Sequence, residues 1–277
     1  MEQHSHIIGL GDILSDAKKC WVLLASKSPR RIELMKLMGV SNLYVCESGF
    51  EENLDKKQFA SAEHYVKENA LQKGLNVANH VWFRDQANTN SDGNSKEAEQ
   101  KTNTQQGSNC GDLSKGQPDN EQHCTDATKK PQVKSLHSTY DPMPNAIISC
   151  DTIVTLNDEI IEKPLNKEHA LEILKKLSSN VHCVYTAVCI FLYKTKVPIT
   201  FIEKTDVHFD NLLEKDILAY LNSSEPYDKA GAYSIQGVGC QFIKKINGCY
   251  YNVMGLPINK LSRTLTQLFV QGKISVS

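Results

Sequence analysis

Two hydroxyl groups and two guanidinium groups are concentrated in residues 26–31, which read Ser-Lys-Ser-Pro-Arg-Arg. The apolar residues 21–25 before them predict a short buried strand, and Ser28 followed by Pro29 is a typical helix start. The free N–H groups of a first helical turn bind anions, and arginine adds bidentate donors for phosphate oxygens. We therefore expect a phosphate-binding turn; a plain helix cap with solvated arginines is the alternative. The candidate ligands are Ser26, Ser28, Arg30 and Arg31.

A single carboxylate interrupts the apolar run of residues 147–154, where Asp151 is followed by Thr152. A buried charge needs a partner, a metal ion or a ligand. Asp151 is therefore a candidate functional residue, although capping a turn or pairing with an arginine would also explain it. Lys163 follows shortly, on a turn that Pro164 stiffens.

Two more polar clusters lie elsewhere in the chain. Glu52 precedes a predicted helix that carries Lys73, and each of these two residues, taken alone, reads as a solvated surface group. Residues 225–237 combine glycines, which permit close backbone approach to a ligand, with Lys229 and with Gln236, whose amide can recognise a base edge. The density of polar groups in this stretch favours a binding loop over an ordinary surface loop.

Alternating strand and helix patterns must position these clusters. Strand patterns cover residues 21–25, 146–156, 181–193 and 199–209. Helical patterns cover residues 29–38, 60–78, 167–177 and 213–221, and a last helix follows Pro257. Residues 242–246 and 249–253, separated by Asn247-Gly248, predict a β-hairpin. Helices interspersed with single strands and hairpins indicate an α/β domain with a mixed sheet.

A long polar segment interrupts this pattern. Residues 86–131 are rich in Asn, Gln, Ser, Thr, Gly, Asp and Lys, a composition that cannot bury enough apolar surface to order the chain. We expect a disordered insertion over residues 86–145 inside one domain, residues 20–277, which follows an N-terminal extension, residues 1–19. The sequence is compatible with two interpretations of this insertion, an inert spacer and a partner-binding segment.

Composition narrows the possible functions. The 277 residues carry a formal net charge of −1, so there is no basic excess typical of nucleic-acid or membrane-surface binding. No apolar run approaches the roughly 20 residues that span a bilayer. The nine cysteines are scattered and form no C-x-x-C pair, and the histidines form no zinc-binding cluster. We therefore expect a cytoplasmic protein with reduced thiols that binds neither nucleic acid nor membrane.

Taken together, five motifs closely resemble, in order, those of the Maf family of nucleoside triphosphate pyrophosphatases. They are residues 24–31, 150–152, 163–164, 225–237 and 255–257. The resemblance extends from Cys20 to Phe269 except for the insertion, and residues 50–56 look most like the eukaryotic branch. It implies a single α/β domain of the Maf/ITPase-like type, with an elongated mixed sheet, flanking helices and a central cleft.

The resemblance also implies an activity and roles for individual residues. The activity is hydrolysis of a nucleoside triphosphate between its α and β phosphates, with Mg²⁺ or Mn²⁺ as cofactor. By similarity Asp151 is the proton acceptor, Glu52, Lys73 and Lys163 are the other catalytic residues, and Glu52 and Asp151 hold the metal. The implied substrate-binding residues are Ser26, Ser28, Arg30, Arg31, Thr152, Lys229 and Gln236.

Substrate choice follows from three of these positions. Arg30, Thr152 and Gln236 match the dTTP/UTP branch of the family and differ from the branch that acts on 7-methyl-GTP. The resemblance therefore implies a pyrimidine triphosphate substrate, with modified pyrimidine nucleotides as further candidates, and a role in clearing the nucleotide pool. It also suggests a homodimer.

Two other functions remain open on the sequence. A catalytically weak nucleotide-binding regulator would recruit a partner through the insertion and would bind nucleotide without turnover. A serine hydrolase would use Ser26 or Ser28 as nucleophile, but the chain has no G-x-S-x-G motif and no evident histidine partner.

Overall fold

A mixed sheet of seven strands forms the centre of the protein. The computed structural model of the chain describes residues 22–40, 43–82, 144–193, 195 and 197–274. The strands are β1 (Val22–Ala25), β2 (Tyr44–Val45), β3 (Ala146–Leu156), β4 (Glu159–Ile161), β5 (Val181–Leu192), β6 (Ile199–Phe209) and β7 (Ile243–Asn247). Six of them run in the order β2-β1-β3-β5-β6-β7, and β4 pairs with β3. β1 is parallel to both β2 and β3, whereas the other pairs are antiparallel.

In the described part of the chain, six α-helices cover the two faces of this sheet. They are α1 (Pro29–Leu37), α2 (Ala62–Trp82), α3 (Lys167–Leu177), α4 (Glu214–Tyr220), α5 (Tyr250–Met254) and α6 (Ile258–Val270). Short 3-10 helices occur at Lys56–Gln58, Glu225–Asp228, Ala230–Ala232 and Val238–Phe242. Among the described residues, no helix has both the length and the apolar character needed to cross a membrane. The α/β class with a mixed, helix-flanked sheet is thus confirmed.

Alternate residues of the central strands contribute to hydrophobic cores on both faces of the sheet, because successive side chains of a strand point to opposite faces. Leu24 and Ile148 pack with α1 and α6 on one face, while Leu23 and Ile147 pack with α2 on the other. All four side chains are fully buried, and each such burial contributes about 1.5–3 kcal/mol to the free energy of unfolding. Asp151 lies in register with the α2 face, and Thr152 lies in register with the α1 face.

β3 has a gap in its pairing along one edge. On this edge it pairs with β1 over residues 146–149 and with β4 over residues 154–156. On the opposite edge β5 pairs with it continuously from Ala146 to Thr155. Residues 150–153 therefore have no strand partner on the first edge within the described part of the chain. Side chains from both faces of the sheet can reach the opening that results.

Several predicted elements are confirmed with their boundaries. The helix at residues 167–177 is α3, and the side chain of its predicted cap Asn166 accepts a hydrogen bond from His169 N at 2.8 Å. The strand predicted over residues 146–156 is β3, and the two strands that follow α3 pair as expected. The helix expected over residues 60–78 starts two residues later and continues to Trp82.

The hairpin predicted for residues 242–253 is wrong in its second half. Residues 243–247 form β7, but Tyr250–Met254 is α5, a short helix closed by Gly255 at a φ of 108°. Buried Asn252 holds this helix in place, because its Nδ2 donates to Val184 O at 2.9 Å and to Thr205 Oγ1 at 3.0 Å. These contacts with two distant strands override the local hairpin signal.

Two local features differ from the sequence expectation. β4 was not predicted; it forms a hairpin with β3 through Asn157 and Asp158, whose φ angles of 51° and 64° suit a tight two-residue turn. Ser28 precedes α1 as expected, but its side chain makes no capping hydrogen bond. Instead, Ser26 Oγ accepts a hydrogen bond from Ser28 N at 3.2 Å.

The extension at residues 1–19 and the insertion at residues 86–143 lie outside the described residues, so both stay predictions. The residues on either side of the insertion meet at Tyr193. The ring of Trp82, the last residue of α2, lies 5.7 Å between centroids from the Tyr193 ring. Tyr193 N donates to the carbonyl of Asn145, which precedes β3, at 3.4 Å. The predicted insertion covers residues 86–145, and its last two residues, 144 and 145, are described and adjoin the start of β3.

Candidate active site

A cleft of about 510 Å³ lies at the gap in β3 pairing, next to the carboxyl end of β1. Clefts at the carboxyl ends of parallel strands are the usual ligand sites of α/β sheets. All eleven residues predicted from the sequence line it: Ser26, Ser28, Arg30, Arg31, Glu52, Lys73, Asp151, Thr152, Lys163, Lys229 and Gln236. The structure therefore brings them together, while the role of each stays a prediction.

Two carboxylates share one ammonium group on the α2 side of the cleft. Lys73 Nζ lies 2.7 Å from Asp151 Oδ1 and 2.8 Å from Glu52 Oε2. The side chains of Lys73 and Asp151 are 11% and 9% exposed, whereas that of Glu52 is 51% exposed. Asp151 is thus held by a buried ion pair with a lysine, not by the turn or the arginine that the sequence left open. Glu52 forms the outer edge of this group.

The electrostatics of Glu52 follow from its position. Partial burial alone would raise the pKa of this carboxyl group. The charge and hydrogen bond of Lys73, with the charges of Lys163 and Arg31, together outweigh burial and lower the pKa below 4.5. Glu52 is therefore kept ionised by three surrounding cations.

The packing of α2 on β3 fixes the position of Lys73. Ser149 Oγ donates to Ala70 O at 2.6 Å, which ties the helix directly to the strand. Gly74 lies so close to the sheet that a Cβ atom there would be 2.0 Å from Phe191 Cε2. The missing side chain lets α2 approach closely enough for the Lys73 ammonium to reach Asp151.

Arg31 is oriented by three acceptors on the opposite side of the cleft. Its Nε donates to Gly255 O at 2.9 Å, its Nη1 to Ser26 Oγ at 3.3 Å, and its Nη2 to Thr152 Oγ1 at 3.0 Å. A guanidinium group held in this way is presented in one orientation before any ligand arrives, which lowers the entropy lost on binding an anion.

Thr152 belongs to a directed chain of hydroxyl groups. Thr186 Oγ1 donates to Asn252 O at 3.1 Å, so its single proton is committed to that bond. In the 2.9 Å contact between the two threonine hydroxyls, Thr152 must therefore be the donor. Its own oxygen accepts from Arg31. The Thr152 hydroxyl is thus fully engaged within the protein.

Arg30 and Lys229 form a second cationic region near Asp228. Arg30 Nη1 lies 3.7 Å from Asp228 Oδ2, and Lys229 Nζ contacts Asp228 Oδ1 and donates to Glu225 O at 2.8 Å. Partial burial raises the pKa of Asp228, but the hydrogen bond and charge of Lys229 and the charge of Arg30 reverse the effect and lower it. The side chains of Arg30 and Lys229 are 33% and 14% exposed, whereas that of Asp228 is 68% exposed, so a ligand phosphate can displace the Asp228 carboxylate from the two cations.

The serine contacts do not suit a serine hydrolase. Ser26 Oγ accepts hydrogen bonds from Ser28 N and Arg31, and within the described residues neither Ser26 nor Ser28 contacts a histidine. Ser26 instead helps to orient Arg31. It thus supports the phosphate-binding turn that the sequence predicts.

Sequence reasoning missed two residues that shape the site. The carbonyl of Gly255 and the hydroxyl of Thr186 position Arg31, directly and through Thr152. Gly255 lies in one of the five motifs, so its place in the sequence pointed to it, although not to its role. Thr186 carries no signal, since a threonine in a strand is ordinary.

Comparison with known proteins gives a consistent result. A family model described as Maf-like protein matches residues 21–268. The dTTP/UTP pyrophosphatase of Clostridium perfringens is 34% identical over 245 residues, which cover 88% of this chain and 95% of that protein. The dTTP/UTP pyrophosphatase of Clostridium tetani is 48% identical over 124 residues, which cover 45% of this chain and 65% of that protein.

Proposed function

This chain belongs to the Maf family, and we propose on that premise that it is a nucleoside triphosphate pyrophosphatase. The proposed reaction converts dTTP or UTP, and modified pyrimidine nucleotides, to the monophosphate and pyrophosphate, which would clear such nucleotides from the pool. Similarity to proteins named dTTP/UTP pyrophosphatase supports the substrate. The proposal depends on one structural observation: in a single cleft, two carboxylates bridged by a lysine face arginine and lysine side chains.

In the proposed reaction Asp151 accepts the proton of the attacking water. Its carboxylate is oriented by Lys73 through one oxygen. General base catalysis requires such a positioned acceptor within hydrogen-bond reach of the water. The water then attacks the α phosphorus, the bond between the α phosphorus and the bridging oxygen breaks, and pyrophosphate leaves.

The cations of the cleft neutralise the triphosphate. Arg31 is held in place before binding, while Arg30 and Lys229 would exchange Asp228 for phosphate oxygens. Lys163 lines the same cleft and adds a fourth positive charge. Phosphoryl transfer depends mainly on positioning and on stabilising charge, so this arrangement suits the reaction.

We propose that Mg²⁺ or Mn²⁺ is the cofactor. The donor set fits a hard cation, because Glu52 and Asp151 offer carboxylate oxygens side by side and each contacts Lys73 through one oxygen. Within the described residues no group of three or more His, Cys, Asp or Glu is arranged to hold a metal ion, so the cation would take its further ligands from the substrate and water. When bound, the ion would lower the pKa of water and offset phosphate charge.

Base selection is proposed to involve Arg30, Thr152 and Gln236. The contacts support an indirect role for Thr152, since its hydroxyl is committed to Arg31 and Thr186. Gln236 is exposed at the cleft, where its amide is open to a base edge.

A pyrophosphate-release assay tests the proposed function. The purified protein should release pyrophosphate from dTTP and UTP with Mg²⁺ or Mn²⁺, and Asp151→Asn should reduce kcat at least about 100-fold, because it removes the proton acceptor. Asp158→Asn, on the exposed turn between β3 and β4, is the matched control and should keep full activity. Absence of turnover across a panel of normal and modified triphosphates would refute the enzyme assignment.

We further propose that the protein acts as a homodimer in the cytoplasm. The dimer rests on the family resemblance. The cytoplasm is supported by free thiols at every described cysteine: Cys46, Cys150, Cys183, Cys189, Cys240 and Cys249. Light scattering after gel filtration and fractionation of cells test the two statements.

A further inference from the structure

Glu225 contacts Lys229 and the loop that follows Gln236, and both Lys229 and Gln236 line the cleft. It opens the 3-10 helix Glu225–Asp228 and is partly buried, and it is not among the residues that line the cleft. Nevertheless, its backbone carbonyl accepts the hydrogen bond of Lys229 Nζ at 2.8 Å, and its side chain reaches residues 237–239. One residue thus connects a proposed phosphate ligand with the loop that follows Gln236.

The carboxylate of Glu225 accepts three hydrogen bonds. Val238 N donates to Oε2 at 2.8 Å, Gly239 N donates to Oε1 at 3.0 Å, and the Tyr220 hydroxyl donates to Oε1 at 3.0 Å. All three partners are donors, which matches a carboxylate, since an ionised carboxyl group only accepts. Burial and the Glu225 carboxylate both raise the pKa of Tyr220, so this hydroxyl stays a donor over the ordinary pH range.

The approach of Glu225 to the loop is unusually close. A Cβ atom on Gly237 would lie 2.1 Å from Glu225 Oε2, so a larger residue there would push the carboxylate away from the amides that it binds. Gly237 has a φ of −104°, so the glycine is needed for space, not for backbone conformation. The carboxylate is therefore packed directly against the residue that follows Gln236.

We propose that Glu225 is a positioning residue for base recognition: its carboxylate fixes the turn at residues 237–239 and thereby fixes where Gln236 presents its amide in the cleft. This inference rests on the proposed function, in which Gln236 contacts the base. Glu225 touches no substrate in this account. It acts through the backbone N–H groups of Val238 and Gly239, which are present whatever side chains these two positions carry.

Glu225→Gln tests the proposal with minimal change of shape. Glutamine keeps one acceptor, but its NH₂ group faces a backbone N–H donor, which loosens the turn. We expect the ratio of kcat/KM for UTP to that for GTP to fall about tenfold, mainly through a higher KM for UTP, with kcat within about threefold of the wild type. Glu168→Gln, an exposed residue of α3, is the control for loss of charge and should keep the wild-type ratio.

A double-mutant cycle separates positioning from a general structural role. If Glu225 acts through Gln236, adding Glu225→Gln to Gln236→Ala should leave the UTP to GTP ratio within about twofold of that of Gln236→Ala alone. Losses that multiply would overturn the proposal. Should Glu225→Gln fail to fold, Tyr220→Phe removes one of the three donors and should lower the ratio in the same direction, by less.

Amide hydrogen exchange provides a readout that does not depend on activity. Peptides containing Val238 and Gly239 should exchange faster in Glu225→Gln than in the wild type, while peptides from α2 and β3 exchange unchanged. Unchanged exchange at residues 238–239 would overturn the proposal even if UTP is hydrolysed. If the wild type does not hydrolyse UTP, the proposed function is wrong, and so is the proposed role of Glu225 in base recognition. The exchange measurement would still decide whether Glu225 fixes the turn at residues 237–239.

Discussion

Lys73 is the residue on which the charge balance of the cleft depends. One ammonium group bridges two carboxylates, so the group of three carries a net negative charge when all are ionised. The pair with Asp151 is almost completely buried, whereas Glu52 is half exposed. Removing Lys73 would leave the buried Asp151 carboxylate without its buried partner. Loss of one partner of a buried ion pair strongly lowers the free energy of unfolding. The remaining negative charge favours a cation next to Asp151 and Glu52.

Glu52 gives the protein a specific pH dependence of stability. Its pKa is lower in the folded state than 4.5, so its contribution to stability is present above that value and is lost as the pH falls through the folded-state pKa. The difference in urea midpoint between wild type and Glu52→Gln should therefore shrink as the pH is lowered from about 6 to about 3. The effect should be small because half of the side chain is exposed.

The control for this pH experiment is the adjacent residue. Glu51→Gln removes the same formal charge outside the Lys73 contact, because Glu51 Oε2 accepts a hydrogen bond from Asn53 Nδ2, at 3.2 Å. A Glu52→Gln difference that stays constant or grows on acidification would contradict the prediction.

Thr186 provides a test of the hydroxyl chain behind Arg31. Thr186 is fully buried, and Thr186→Val leaves the partly buried Thr152 hydroxyl without its acceptor, which should cost about 1 kcal/mol of unfolding free energy. Arg31 then loses a fixed acceptor, so KM for UTP should rise more than kcat falls. Urea unfolding and steady-state kinetics measure the two effects. Thr186→Ser keeps the hydroxyl and should restore KM; an unchanged KM in Thr186→Val would refute the link.

At the scale of elements, the close packing of α2 on the sheet controls the site. Gly74→Ala should gain about 1 kcal/mol from helix propensity. The new Cβ atom, however, would lie 2.0 Å from Phe191 Cε2 and 2.5 Å from Ser149 Oγ, and such overpacking costs about 1–3 kcal/mol or more. We expect a net loss of stability in thermal unfolding and lower activity, because Lys73 moves with the helix.

Lys67→Ala is the matched control for Gly74→Ala, since Lys67 is exposed on the same helix. It should change the unfolding free energy by less than about 0.5 kcal/mol. If the Gly74→Ala variant were as stable as the Lys67→Ala variant, the prediction would be wrong, because α2 could then shift without a loss of stability.

The elements that sequence patterns predict well are those stabilised locally. Asn166 caps α3 within its own turn, and β5 and β6 are rich in the β-branched and aromatic residues that favour paired strands. Residues 249–253 were mispredicted because Asn252 binds strands far away in the sequence, which no local pattern records. Residue types identified the eleven cleft residues. The contact of Thr152 with Thr186, however, follows from the register of β3 with β5, and the contact of Arg31 with Gly255 joins residues 224 positions apart, so local patterns record neither.

At the scale of the whole molecule, the predicted insertion should be dispensable for catalysis. All eleven predicted site residues lie outside it, and α2 and β3 contact each other on both sides of Lys73. Replacing residues 86–143 with a short Gly-Ser linker should leave kcat/KM for UTP within about twofold and the thermal midpoint nearly unchanged. The pyrophosphate-release assay and thermal unfolding measure this. If the variant kept its activity but lost a binding partner, the interpretation of the insertion as a partner-binding segment would be favoured. Loss of catalysis would contradict the prediction.

The meeting of Trp82 and Asn145 at Tyr193 also determines how the chain responds to changes in length. Because the two ends of the intervening segment are held close together, any segment between them must close a loop. The entropic cost of closure rises only logarithmically, by about 0.6 kcal/mol for each doubling of loop length. Segments of very different lengths are therefore nearly equivalent for the stability of the sheet. This junction is consequently a permissive point, where a folded reporter domain with adjacent termini could be inserted without moving the cleft.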